Sequence, residues 1–384
     1  MITIVININV DLIDNFRNKV NEDLFFREKF RNVNGKNHWN VICSAMDWIT
    51  VAAEGLPGID LKRTDSQIVD HLETLNLMQY IVTVDILVEA IIQLFRAIDG
   101  GNRYPLSKSN KIFRQSKLSD DAYFKHLRAA FSTHPVNLSS VDGVKKEDGE
   151  RFYASWVAKD LLGKDFCVVL YSNKPEKDQA NYLGVKIKDI NLYAEQRYKL
   201  LETLIDKVER MNTEHIDSKK KCIITSVIDP IEQLKLLLEE NEKRFGENYG
   251  YANGLRYLYG LLRVDTSLIV DNFDKAIINE YRNFLITLIP EIKDGLQDMT
   301  IRKSDWKKPF QHSYEFEKIY MYFGDGEHPV GKAFFNKLVN KGPLPSILLT
   351  CENNGLKQLV MDAYLHQESK KRGRQVSFEE FLNC

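Results

Sequence analysis

The sequence predicts a mainly α-helical protein, a helical bundle with one small β-hairpin over residues 1–215, followed by an all-helical region over 216–384. Three observations predict it. Apolar residues recur at three- and four-residue steps through most of the 384-residue chain. The stretch 72–101 is apolar on nearly every side, which suits a helix central in a bundle. Strand character is confined to 165–172 and 182–189, where Val185 and Ile187 alternate with Lys186 and Lys188.

The elements follow in order. Residues 9–31 and 38–54 have helical apolar spacing, separated by the breaker stretch 32–37 around Gly35. Residues 55–66, rich in Gly and Pro, form a loop. Helix 72–101 stops at Gly100 and Gly101, and its few interior polar residues include Asp85 and Glu89, one turn apart on one side. A shorter helix spans 118–134. Ser119 is its N-cap, Asp120 and Asp121 complement its positive end, and Pro135 ends it at His134. Residues 141–151 read as a solvated loop, and 173–181 as the polar connection of the hairpin. A long amphipathic helix covers 192–211, and the Lys219–Lys221 run marks a linker. Segments 230–244, 250–263, 267–297, 313–323 and 355–369 are helical, and in 267–297 Ile269, Phe273, Ile277, Phe284 and Leu288 mark a core face.

Composition narrows the function classes. With 43% hydrophobic and 28% charged residues, the chain is expected to fold around a core rather than stay disordered. Lys and Arg total 53 against 54 Asp and Glu, which excludes a globally basic coat for nucleic acid but not a local patch. No apolar run approaches the ~20 residues that cross a bilayer, so no membrane partner is expected. The apolar start lacks a basic leader and a cleavage site, so no signal peptide is read. Five cysteines, odd in number and far apart, have neither ligand nor redox spacing. The expected compartment is the reducing cytoplasm, with no metal and no cofactor.

Nucleotide loops, zinc-protease motifs and serine-hydrolase elbows are missing from the sequence. The segment GDGEHPVG at 324–331 lacks the Lys-Ser/Thr end of a phosphate loop and reads as a turn, and the KKRGR run at 370–374 as a solvated tail. Arginine–histidine pairs are more informative. RNA cleavage without a metal needs a base for the 2′-hydroxyl proton and a cation for charge developing on phosphate oxygens, which suit His and Arg. Three pairs have four to six residues between Arg and His: Arg31 and His38, Arg128 and His134, and Arg210 and His215. Roughly one such match is expected by chance. Context selects Arg128 and His134, which share one short helix and its Pro-enforced end, whereas the other pairs span a breaker and a fraying terminus. Upstream, Arg103, Lys108, Lys111, Arg114 and Lys117 occur with no acid between Asp99 and Asp120. The last four are spaced three apart and on a helix would fan over one broad side, forming with Lys125 a positive surface for RNA.

At this point the residues resemble a known family. IVTVDILVEAI with its internal Asp85, followed by YFKHLRAAFSTHP, resembles the HEPN fold, whose signature is Arg, four to six residues and His, often with a trailing Pro. HWNVICSAMDWI at 38–49 resembles the first bundle helix, and the hairpin and helix 192–211 the usual continuation, so the likeness covers roughly residues 20–212. The resemblance implies a metal-independent endoribonuclease, common among prokaryotic toxins and abortive-infection (anti-phage) effectors. It also implies a homodimer in which two Arg–His motifs line one cleft, and an antitoxin or regulatory protein as partner. Carried over, Arg128 stabilises the transition state, His134 is the acid/base, and Asp85 orients one of them. Ala129 departs from the family, which often has Asn or another polar residue there. The alternative is a catalytically inactive HEPN module that binds RNA or protein.

Overall fold

The computed structural model describes residues 6–22, 24–61, 69–101, 104–114, 117–133, 137–144, 149–159, 162–175, 181–301 and 309–384. The chain is mainly helical with one small antiparallel sheet. It divides into two compact units, Met1–Thr213 and Glu214–Cys384. No helix among the described residues is long and apolar enough to cross a membrane.

The first unit is built around one helix. Helices α1 (Asp11–Glu22), α2 (Leu24–Arg31) and α3 (His38–Gly55) precede α4 (His71–Asp99). Asp70 and Glu73 start α4 with a reciprocal capping box, and Gly100 ends it in the left-handed conformation. Between these stops its buried residues, among them Leu77, Ile81, Val84, Leu87, Ile91, Leu94 and Ile98, fall on more than one face. The surroundings supply those faces: α3, α5 (Asp120–Arg128) and α6 (Ile187–Tyr198) all pack against α4. Truncating a fully buried leucine such as Leu87 removes about 2–5 kcal/mol.

The sheet is larger than the sequence suggests. β3 (Phe166–Ser172) pairs with β4 (Asn181–Val185) in the register Phe166 to Val185 and Leu170 to Asn181. On its other edge lie β1 (Phe152–Ala154) and β2 (Ala158–Lys159), each only two or three residues long. Strands that short leave no alternation to read. The second hairpin strand ends at Val185, not 189. Ile187 instead opens α6, where Ile187, Ile190, Asn191 and Ala194 share the buried side at helical spacing. The single helix expected at 192–211 is two helices, α6 and α7 (Leu200–Lys221), and the Lys219–Lys221 run is the last turn of α7 rather than a linker.

Asp120 and Asp121 do more than complement a helix end. Asp120 is fully buried and accepts from Ser109 Oγ at 2.6 Å and from the backbone N–H groups of Lys111, Ile112 and Phe113 at 3.1–3.2 Å. Asp121 Oδ1 receives Arg197 Nε and Nη2 at 3.0 and 2.9 Å and the Tyr193 hydroxyl at 3.0 Å, while Oδ2 receives Tyr104 at 2.5 Å. Arg197 is fully buried and also lies 3.8 Å over the Tyr193 ring. Adjacent acids at the start of α5 thus fasten the 104–113 segment on one side and α6 on the other.

The second unit contains α8 (Pro230–Phe245), α9 (Ala252–Leu262), α10 (Asn272–Gln297), α11 (Tyr314–Asp325), α12 (Pro329–Lys341), α13 (Asn354–Arg372) and α14 (Phe378–Leu382). Helix α10 begins five residues later than expected, because Asp271 caps it through Phe273 and Asp274 N–H. Phe273 is therefore on the first turn and 65% exposed, whereas Ile277, Tyr281, Leu285 and Leu288 form the buried face. GDGEHPVG is a helix-to-helix junction. Gly326 ends α11 in the left-handed region, His328 Nδ1 accepts from Gly331 N–H at 3.1 Å, and Pro329 opens α12. Gly331 has no room for a side chain, because a Cβ there would collide with the Lys318 carbonyl of α11.

Three outcomes follow. Asp120→Ala orphans buried backbone donors and should lower unfolding free energy by about 3–5 kcal/mol in urea denaturation. Burial alone would raise the Asp120 pKa, but Ser109, the Phe113 and Ile112 amides and Arg197 together hold it below 3.8. Its charge-dependent stabilisation is therefore complete above that value and lost as pH falls through the lower folded value, an acid limb that Asp120→Asn should lack. Gly331→Ala should cost about 1–3 kcal/mol by forcing α11 and α12 apart, read as a lower midpoint in thermal denaturation of the full chain.

Candidate functional site

The site is organised by two ion pairs across the α4–α5 contact. Asp85 and Glu89 stand one turn apart on α4, and Lys125 and Arg128 stand three residues apart on α5, so each pair shares a face of its helix. Glu89 Oε1 meets Lys125 Nζ at 2.8 Å, and Asp85 Oδ2 accepts from Arg128 Nη1. The Asp85 side chain is only 12% exposed, so its charge is nearly stripped of water and requires the guanidinium. Arg128 keeps 32% of its side-chain surface exposed. It is anchored through one nitrogen and open on part of its fork.

The backbone changes character directly after Arg128. The α-helix stops there, and Ala129–Thr133 form a π-helical turn, so the continuous helix expected over 118–134 is interrupted. Ala130 and Phe131 of the turn are buried, which fixes the wide turn to the core. Two buried polar atoms here, Arg128 Nε and Ser132 Oγ, have no hydrogen-bond partner among the described residues. His134, assigned from sequence as acid/base, and Pro135 lie outside the described residues.

The expected RNA-binding residues have different surroundings. Lys125 is not a free cation, since it is paired with Glu89. Lys108, Lys111, Arg114 and Lys117 are exposed, but they lie on turns and bends, not on a helix, so their three-residue spacing defines no common side. The physical reason is Asp120, which gathers three consecutive amides and Ser109 and curls the segment around itself. Arg103 lies outside the described residues. The paired Asp120 and Asp121 at the helix start went unrecognised as ligands of this loop and of Arg197. The acidic doublet following a loop rich in Ser was the available signal.

The neighbouring histidine, His126, has a structural place. Its Nε2 lies 3.0 Å from the Val141 carbonyl, and burial is the main force holding its pKa below the ordinary imidazole value. Beside Glu89, the α3–α4 surface forms a groove of about 540 Å³ that includes Trp48, which is 52% exposed. Among the described residues, no group of three or more His, Cys, Asp or Glu is placed to hold a metal ion.

In a double-mutant cycle of Asp85→Asn and Arg128→Gln, the coupling free energy should be about 1–2 kcal/mol. That value lies between those of exposed and fully buried pairs because one partner is buried and the other is partly wet. Additive effects would show that the bridge contributes nothing beyond its separate parts. Compared with protein-family models, with curated proteins and with solved structures, the chain has no match.

Proposed function

We propose that the chain is a metal-independent endoribonuclease of the HEPN type, acting in the cytoplasm as a homodimer and serving as a prokaryotic toxin or anti-phage effector. The observation that carries this proposal is Arg128, tethered by a nearly buried Asp85 at the end of α5, where the backbone opens into a π-helical turn. Such turns recur at functional sites because they displace side chains from the regular helical ladder. Among the described residues, Arg128 Nε and Ser132 Oγ of the same segment are buried without a hydrogen-bond partner, and such unsatisfied groups mark the turn as one held for more than packing.

The chemistry assigns each group a task. His134 takes the proton of the ribose 2′-hydroxyl, and the 2′-oxygen attacks the adjacent phosphorus. The bond from phosphorus to the 5′-oxygen breaks, and the protonated His134 gives its proton to that oxygen, which leaves as a hydroxyl. The products are a 2′,3′-cyclic phosphate and a 5′-hydroxyl end. Arg128 meets the charge that grows on the non-bridging oxygens, and Asp85 fixes the guanidinium so that little reorganisation is needed when that charge appears. Trp48, half exposed beside Glu89, offers a face on which an unstacked base can lie. Pairing of two copies would bring two such sets to one RNA strand, and an antitoxin or regulatory protein would bind the same face.

The test is cleavage of single-stranded RNA by the purified chain in EDTA. Arg128→Ala should reduce the rate by about 10²–10³, and His134→Ala should abolish it with folding retained. Cleavage that continues unchanged in His134→Ala would remove the imidazole from the reaction. An absence of cleavage alongside RNA binding would instead favour a non-catalytic module, the alternative that Ala129 motivates.

A further inference from the structure

A second charged feature lies on the other side of α5. Arg114 from the curled segment, Lys164 from the turn before β3, and Lys186 from the junction of β4 and α6 line a cleft of about 220 Å³, together with Tyr123 and Asp189. On α5, Tyr123 stands roughly opposite Lys125 and Arg128 at about 100° per residue, so the cleft is separate from the Arg128 site. Among the described residues, none of the three cations has a carboxylate within ion-pairing distance. They outnumber the one acid of the cleft, Asp189, three to one. By contrast, Lys125, Arg128, Lys159 and Arg197 of the same unit each sit on an acid.

The cleft is shaped by the chain as well as charged. A Cβ at Gly184 of β4 would come within 2.5 Å of Lys164 Cγ and 2.6 Å of Cys167 Sγ, so the absence of a side chain there is what lets the Lys164 stem cross the strand. Arg114 is also directed, its Nε donating to the Lys111 carbonyl at 2.9 Å. The cleft is too small for a drug-sized ligand, which needs about 300–1,000 Å³, yet roomy for one tetrahedral anion. Lys and Arg side chains around a polar recess, with no carboxylate partner among the described residues, favour phosphoryl oxygens, and focusing of the field in the recess strengthens the attraction.

We infer that the Arg114, Lys164 and Lys186 cleft is a phosphate-binding site, distinct from the Arg128 centre. It takes a phosphoryl group either from an RNA backbone or from a free phosphate or mononucleotide. The inference does not depend on cleavage at Arg128.

The experiment is titration of the full chain by calorimetry with inorganic phosphate, with adenosine monophosphate and with a short 2′-O-methyl oligouridine, each against chloride at matched ionic strength. At least one of the three should bind saturably, and Lys164→Gln combined with Lys186→Gln should weaken that binding at least tenfold. If the oligouridine responds, the slope of log affinity against log salt should fall by about two in the double variant, which identifies backbone phosphate as the occupant. A response confined to phosphate and the mononucleotide identifies a free ligand. The inference is overturned if no probe binds more tightly than matched chloride, or if the folded double variant binds all three as the unsubstituted chain does.

Discussion

A helix that is apolar on nearly every side has one comfortable place in water, the middle of a bundle, and α4 sets the terms for the whole first unit. Its neighbours must cover several faces at once, and any polar group it carries inward must be matched by those neighbours. Asp85 and Glu89 are the two acids that α4 presents towards α5, and Arg128 and Lys125 answer them. The candidate chemistry is therefore tied to the packing. The guanidinium is held at the bundle surface because a carboxylate beneath it has been largely removed from water.

The strongly periodic and capped parts of the fold were legible in the sequence. Helix α4 shows the reason, since a continuous apolar run closed by a double-glycine stop admits few other forms. The short sheet was only half legible, because β1 and β2 draw their identity from pairing with β3 and not from any pattern of their own. The Lys186–Lys188 alternation reads equally as strand or as the first turn of a helix, and the buried spacing of Ile187, Ile190 and Ala194 decides for the helix. In α10 the exposure of Phe273 shows the same limit: apolar spacing alone does not locate a cap, and Asp271 does.

The site was legible as a set of residue types, less so as an arrangement. Arg128 and Asp85 were both singled out, but their contact joins residues 43 positions apart, a relation that local spacing does not carry. The basic island illustrates the opposite case. A regular spacing of Lys and Arg suggested a helical face, yet one buried carboxylate downstream bends the segment into turns. Of that island, Arg114 acquires company only through Lys164 and Lys186, which lie far along the chain on the sheet side.

The π-helical turn at Ala129–Thr133 carries one more consequence. A turn of this kind holds an extra residue relative to the ordinary ladder, and each residue advances the winding by about 100°. Removing one residue would let the ordinary ladder run on and swing everything downstream to a different azimuth, while a change of side chain at an exposed position such as Thr133 would leave that heading intact. Tolerance here should accordingly be asymmetric: permissive towards exchange of one amino acid for another, and intolerant of any change in count.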